Sequence, residues 1–332
     1  MPLDPHDSTP QELPAALEPV LHDVRLQLDP DPVEAMPALR RRLAALLLEG
    51  AQAHDFARRL AFIEAGLRLT LHHRPDDSVL VLVQMLSDRQ YGYCATHALL
   101  AASSCLLVAP LLPIEEPQRG ALLRAALTMN IALAELQDLL ATQAQQTTAH
   151  QREKITAHPN DSVAMLRALG VSDADWLRWV QDHHEAPDGS GYPSQKTELD
   201  LGQQLLRLSD LFVARISPRS TRRGMWPQVV VGNLYLEAEA SASPLGACFV
   251  KQFGMYPPGT LVRLKTGETA LVVRRGAKVN TPLTLAITGP DGMLLSIPVK
   301  RDTQLPLYAI KAPVAPEELR IRLDLARLLK RV

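Results

Sequence analysis

The residues best equipped for chemistry sit in one short run, His183-His184-Glu185-Ala186-Pro187-Asp188-Gly189-Ser190-Gly191-Tyr192-Pro193. A neutral imidazole offers a nitrogen lone pair of the kind first-row transition ions bind. Adjacent histidines reach one centre only where a helix frays, so this pair belongs at a helix end. Gly189 and Gly191 admit positive φ and let backbone pass close to a ligand. Tyr192 supplies a ring on which a base could stack. Elsewhere, Arg215, Arg219, Arg222 and Arg223 form a cluster that either grips phosphate through bidentate contacts or is a solvated helix end. His72-His73 reads as a surface pair. Cys94, Cys105 and Cys248 share no metal-ligand spacing and read as buried thiols in a reducing compartment.

Helices must position these groups. Trp176, Trp179, Val180 and His183 recur at helical spacing, so His183 shares the apolar face of its helix. Ser172 followed by Asp175 resembles a capping box that opens this helix. The spacing predicts a further helix from about Leu201 to Ile216. The stretch from Ala121 to Ala157 has no Pro or Gly, which predicts one long helix and the start of another. Residues 1–85 form an N-terminal helical region, rich in Leu, Ala and Arg, with Leu39, Leu43, Leu46 and Leu47 on one face. Residues 86–254 form the helical unit that holds the histidines. Residues 255–332 change period: Val262 to Lys265 alternate, and Thr266-Gly267 and Asp291-Gly292 supply turns. They predict a small β unit with a closing helix from Pro316 to Lys330. The expected fold is mainly α.

Bulk properties narrow the function. Apolar residues make up 46% of the chain, enough for a sizeable core, and the net charge of −1 gives no global field toward nucleic acid or anionic lipid. An anionic ligand must be held by a local cluster. The first seven residues lack the basic and apolar regions of a leader. The apolar stretch Ala98–Leu112 is short of the ~20 residues of a spanning helix and reads as a core helix. A cytoplasmic protein with no membrane partner is expected.

The loop matches the HHExxDGxGYP signature at every fixed position, and the chain resembles the HD-GYP family of bacterial cyclic di-GMP phosphodiesterases. The resemblance covers about residues 85–300 and implies an all-helical HD-type domain with a metal centre. By that resemblance His97, His158, His183, His184 and Asp210 are the metal ligands. Asp188, Gly189, Gly191, Tyr192, Pro193 and Arg219 are the ligand-facing residues. Met255 to Leu264 resembles the Tyr-Pro-Pro-Gly-Thr segment that follows the catalytic domain in many members.

The pattern breaks where the family carries its His-Asp-x-Gly-Lys. Here Met129 stands for the histidine, Asn130 for the aspartate and Leu133 for the lysine, and Tyr93 replaces an acid four positions before His97. A two-metal phosphodiesterase needs a carboxylate that bridges ions ~3.5–4 Å apart around a shared nucleophile. Asparagine offers one neutral carbonyl, and the Met129 thioether suits harder metals poorly. Loss of a single well-placed electrostatic donor costs ~2.7–4 kcal/mol of transition-state stabilisation. The resemblance thus implies a catalytically impaired member that binds cyclic di-GMP or a related dinucleotide. His158, His183 and His184 would hold at most one divalent iron or manganese ion, with His97 and Asp210 empty or weakly filled. The alternatives are slow turnover at a mononuclear site, or an interaction module whose Gly-Tyr-Pro loop contacts a partner such as a diguanylate cyclase domain.

Overall fold

Leucine spacing in the N-terminal region is realised as four helices in the computed structural model, which describes residues 14–240, 243–319 and 321–332. The reading of the first seven residues lies outside the described residues. The four are α1 (Glu18–Gln27), α2 (Pro32–Glu49), α3 (Phe56–His73) and α4 (Pro75–Ser87). Asp31 caps α2 by accepting the Val33 amide at 3.0 Å, and Pro32 takes the first helical position, where no amide is needed. Leu39, Leu43, Leu46 and Leu47 then face inward, none more than 2% exposed. Burying each stabilises by roughly 1.5–3 kcal/mol relative to exposure. His72 and His73 are exposed at the end of α3, as expected.

α5 (Cys94–Val108) is apolar on all sides because it is enclosed by α4, α6 (Glu116–Thr128) and α10 (Leu201–Ile216). The stretch Cys94–Leu111 is long and apolar enough to cross a membrane, but 78% of it is buried within the protein. Ser103 and Ser104 donate to the Leu99 and Leu100 carbonyls at 2.7 and 2.9 Å, so neither hydroxyl is left unmet in the core. Cys94 and Cys105 are buried, and burial pushes the Cys105 thiol up to about 12. Cys248 is only half-buried, not enclosed as the composition implied.

The long helix expected from Ala121 is broken. α6 ends at Thr128, a 3-10 turn spans Ile131–Leu133, and α7 (Ala134–Thr142) and α8 (Ala149–Ala168) follow. Absence of Pro and Gly did not suffice for continuity. Thr128 Oγ1 bonds back to the Arg124 carbonyl at 2.7 Å, and the Ala132 amide turns to Ser162 Oγ on α8 at 3.3 Å. Thr148 and Gln151 form a reciprocal capping box that restarts the helix as α8. α9 (Ala174–Asp182) is capped by Asp173, which accepts the Trp176 amide at 3.0 Å, rather than by Ser172. α10 has the expected bounds and opens on an Asp200–Gln203 capping box. α11 (Pro227–Ala240) and α12 (Leu245–Phe253) complete the helical layer.

The chain then enters an antiparallel sheet of β1 (Leu261–Leu264), β2 (Thr269–Arg274), β3 (Leu283–Thr288), β4 (Leu294–Asp302) and β5 (Ile310–Pro313), ordered β4-β3-β2-β1-β5. Strand alternation divides β2 between two cores. Leu271 and Val273 join the main core, while Ala270 and Val272 pack with Val262 and Leu264 on the other face. The sheet is docked on α4: Gln84 Nε2 donates to the Gly259 carbonyl at 2.7 Å, Arg275 pairs with Asp76 at 2.6 Å, and Arg274 pairs with Asp77. The closing helix expected over Pro316–Lys330 is instead a 3-10 turn, Pro316–Glu318, and a short α13 (Leu325–Leu329). Asp324 starts that last helix anew by accepting the Arg327 amide at 3.0 Å.

Candidate metal centre

Two elements converge on one point in the helical layer. α8 brings His158, and the end of α9 brings His183 and His184. Ligand nitrogens of these three lie within 4.8 Å of one another, the one such cluster among the described residues. His158 and His183 are 1% and 0% exposed, and His184 is partly exposed.

The helices set the tautomers. Pro159 sits inside α8 and has no amide hydrogen, so it cannot bond the Ile155 carbonyl four residues back. The His158 ring takes that place, with Nδ1 2.5 Å from the Ile155 oxygen. α9 stops at Asp182, which leaves the Val180 carbonyl among those at the helix end without an intrahelical donor. His183 Nδ1 lies 2.6 Å from it. Each carbonyl only accepts, so both rings carry their proton on Nδ1 and present an Nε2 lone pair. Those two lone pairs face each other at 3.2 Å.

Two acceptors at that distance repel unless a cation lies between them. A proton is opposed by the surroundings: burial first, and then the neighbouring His183, pushes the His158 imidazole down to about 3. Burial also lowers His183, and burial followed by His183 holds His184 well below the usual range. The three rings are neutral ligands in waiting. The separation suits one ion, since bonds of about 2.1 Å to both nitrogens would subtend roughly 100° at the metal. The donor set therefore fits a single first-row transition ion.

His97 and Asp210 pair with each other beside this cluster. His97 Nε2 lies 2.8 Å from Asp210 Oδ1, and its Nδ1 lies 2.9 Å from the Tyr93 hydroxyl. Both ring nitrogens are occupied. Burial alone would raise the Asp210 pKa, but the hydrogen bond and charge of His97 outweigh it and hold the carboxyl below its usual range. Asp210 Oδ2 stands 3.9 Å from His184 Nδ1, which joins the two groups. Asn130 and Met129 are buried, and Leu133 is 6% exposed. The turn that follows Asn130 packs on α8, the helix of His158.

The signature loop closes over His184. The Tyr192 ring stacks on that of His184 with centroids 4.6 Å apart. Gly191 is required by contact: a Cβ there would lie 2.4 Å from the Ala186 amide nitrogen. Gly189 has φ of 75°. Asp188 accepts from the Ser190 amide and hydroxyl at 3.0 and 2.6 Å, so its carboxylate shapes the turn. Pro193 follows Tyr192 in a cis peptide bond. Arg219 is placed elsewhere than against the triad. Its guanidinium carbon lies 5.1 Å from the Tyr93 ring centroid, beside a cavity of about 490 Å³ that Arg222 and Arg223 also line. Arg215 pairs with Glu237 at 2.9 Å.

Sequence reasoning missed the groups that fix the loop. Glu185 accepts the Ser194 and Lys196 amides at 2.6 and 2.9 Å, and the buried Asp182 holds the Lys196 ammonium at 2.7 Å and Gln203 Nε2 at 2.7 Å. The acids on either side of the histidine pair are visible, but their partners lie 9 to 21 residues away and only the fold pairs them.

Residues 81–240 match the HD domain family. The chain is 24% identical over 235 residues to cyclic di-GMP phosphodiesterase PA4108 of Pseudomonas aeruginosa; the match covers 70% of this chain and 56% of that protein, so it spans just over half of the relative's length. Among solved structures it is similar to Bd1817, a HDG"Y"P protein from Bdellovibrio bacteriovorus, with a TM-score of 0.49 and 12% identity, over 64% of this chain and 69% of that one. Residues 81–240 are thus an HD domain. With its intact Gly-Tyr-Pro loop, the chain is similar to HD-GYP proteins.

Proposed function

We propose that this protein binds cyclic di-GMP, or a related dinucleotide, at a single-ion site on His158, His183 and His184, and hydrolyses it poorly or not at all. The observation that carries the reading is the contrast in hydrogen bonding. The His158 and His183 lone pairs face each other unmet at 3.2 Å, whereas His97 and Asp210 satisfy one another at 2.8 Å. One position stays open to a metal, and the other has closed without one. A bound ion would polarise a phosphate oxygen of the dinucleotide. The chain's own residues do the rest: His184 and Tyr192 form the partly exposed entrance, and the Tyr192 ring offers a face for a base. Burial, then Asp210, raises the Tyr192 pKa, so its hydroxyl stays protonated and can donate to a phosphate.

Turnover is limited by what position 130 supplies. An asparagine neither offsets a second divalent charge nor bridges two ions, and Leu133 leaves no cation beside a departing oxygen. The substrate class follows from the relative's activity on cyclic di-GMP and from the intact loop. Metal analysis after anaerobic purification with iron or manganese should give one equivalent. Calorimetry of that protein should show dinucleotide binding, with little linear product or GMP after long incubation. Two tightly held ions with brisk cleavage would overturn this reading, and so would no binding with either metal.

A further inference from the structure

α11 is built in a way its own chain does not require. Its sequence, PQVVVGNLYLEAEA, contains no lysine or arginine. Val230, Val231, Leu234 and Ala238 form the buried side. At 3.6 residues per turn, Val229, Gly232, Asn233, Leu236 and Ala240 gather on the opposite side. There Val229 is 41% and Leu236 61% exposed, and Met225 and Trp226 extend the apolar surface at the N-terminal end with 39% and 37%. A helix apolar nearly all round belongs in an interior, and this one has half of its circumference in solvent.

Gly232 is a second sign. A glycine inside a helix costs about 1 kcal/mol relative to alanine. A Cβ at Gly232 would meet nothing in this chain closer than Met255 Cε at 3.9 Å, so the fold does not need the glycine. A second backbone passing close to the middle of the stripe would need it.

The charges identify the partner. The helix dipole favours acids at the N-terminus and bases at the C-terminus. α11 has the reverse, with Arg222 and Arg223 just before it and Glu237 and Glu239 in its last turn. Arg223 and Glu239 form no ion pair among the described residues. Laid antiparallel on a second α11, the acidic end of each copy meets the basic, positive end of the other. Leu236 then lies level with Trp226, Val229 lies level with Asn233, and Gly232 falls one residue from the crossing. A parallel pair would set glutamate against glutamate, and an anionic membrane would meet the same flanking acids.

We propose that α11 is a self-association face on which two copies of this chain pack antiparallel about a two-fold axis near Gly232. The contact is isologous, so the Arg223–Glu239 pairing occurs twice. A helix of 14 residues is about 21 Å long and buries less than the ~800 Å² per partner of a standard interface, so the dimer should form in the micromolar range. Sedimentation velocity on the full chain, from low to high micromolar, should show a monomer–dimer equilibrium. Leu236→Glu and, separately, Val229→Glu should weaken it at least tenfold, with far-UV dichroism and melting temperature unchanged. Glu239→Arg should also weaken it, and adding Arg223→Glu should restore it. A monomeric wild type at the highest concentration would overturn the proposal, as would dimers that tolerate Leu236→Glu or ignore the charge swap. A wild type that stays monomeric and sediments with anionic vesicles would assign the face to lipid and sink the dimer.

Discussion

Two histidine-bearing positions in one helical layer have come to opposite ends. At the His158–His183 position, interrupted helices have each left a carbonyl without its usual donor, and those carbonyls hold the ring protons on Nδ1. The nitrogens left over have no partner but each other. At the His97–Asp210 position no ring nitrogen is left over, because Tyr93 and Asp210 occupy both. Burial is nearly the same in the two places. What separates an open ligand site from a structural pair is which ring nitrogen remains unmet once the backbone has taken its share. On the single-ion reading, metal content and fold stability should respond to different histidines.

The largest effects test that separation directly. His97→Ala would strand the Asp210 carboxylate, 8% exposed at the side chain, without its partner. Removing one partner of such a pair costs about 3 kcal/mol or more. Chemical denaturation should register that loss while the metal content stays at one equivalent. His183→Ala should do the opposite. It removes a ligand and relieves a lone-pair clash, so affinity for iron or manganese should fall by more than about 100-fold, beyond the range of an outer-shell change, with little change in apoprotein stability. If both variants lose metal and stability together, the two positions are one site and the comparison fails.

Pro159→Ala sharpens the same contrast without touching a ligand. An alanine amide would reclaim the Ile155 carbonyl for the helix, and His158 would lose the acceptor that fixes its tautomer. Loss of such an orienting bond weakens metal binding about 10–100-fold. Removing a proline from a helix interior also relieves a penalty of up to ~3 kcal/mol. The variant should therefore melt higher as apoprotein and bind metal more weakly in competition with a chelator. Unchanged affinity would mean that the proline serves only the helix.

Much of this was legible in the sequence, for reasons that differ by element. α10 was readable close to its observed bounds, because its apolar period is local. The β unit announced itself through alternation and glycine turns at 267 and 292, where φ is positive. The histidine pair at the end of α9 was visible for the same reason. The break at Met129–Asn130 was not, since it depends on Ser162 of another helix drawing the Ala132 amide away. The closing helix was overread because its proline start and basic end looked continuous, and nothing local marked the restart at Asp324. The placement of the Arg219 guanidinium over the Tyr93 ring, 126 positions away in sequence, had no local signal. The His97–Asp210 bond spans 113 positions, so no local pattern marks it.

The smallest effect expected belongs to Tyr93, and it tests how firmly the second position is shut. The Tyr93 hydroxyl lies 2.9 Å from His97 Nδ1 and 3.4 Å from Arg219 Nη2, and its ring lies under that guanidinium. Tyr93→Phe keeps the ring and removes the hydroxyl. One buried ring nitrogen then lacks a partner, at a cost of about 1 kcal/mol. Asp210 keeps its bond to His97 Nε2, so the carboxylate stays committed and the metal content should remain at one equivalent. A shift in denaturation midpoint with unchanged stoichiometry would place the closure in the His97–Asp210 bond. A rise toward two equivalents would place it in the tyrosine instead, and would show that a single hydroxyl keeps the second ion out.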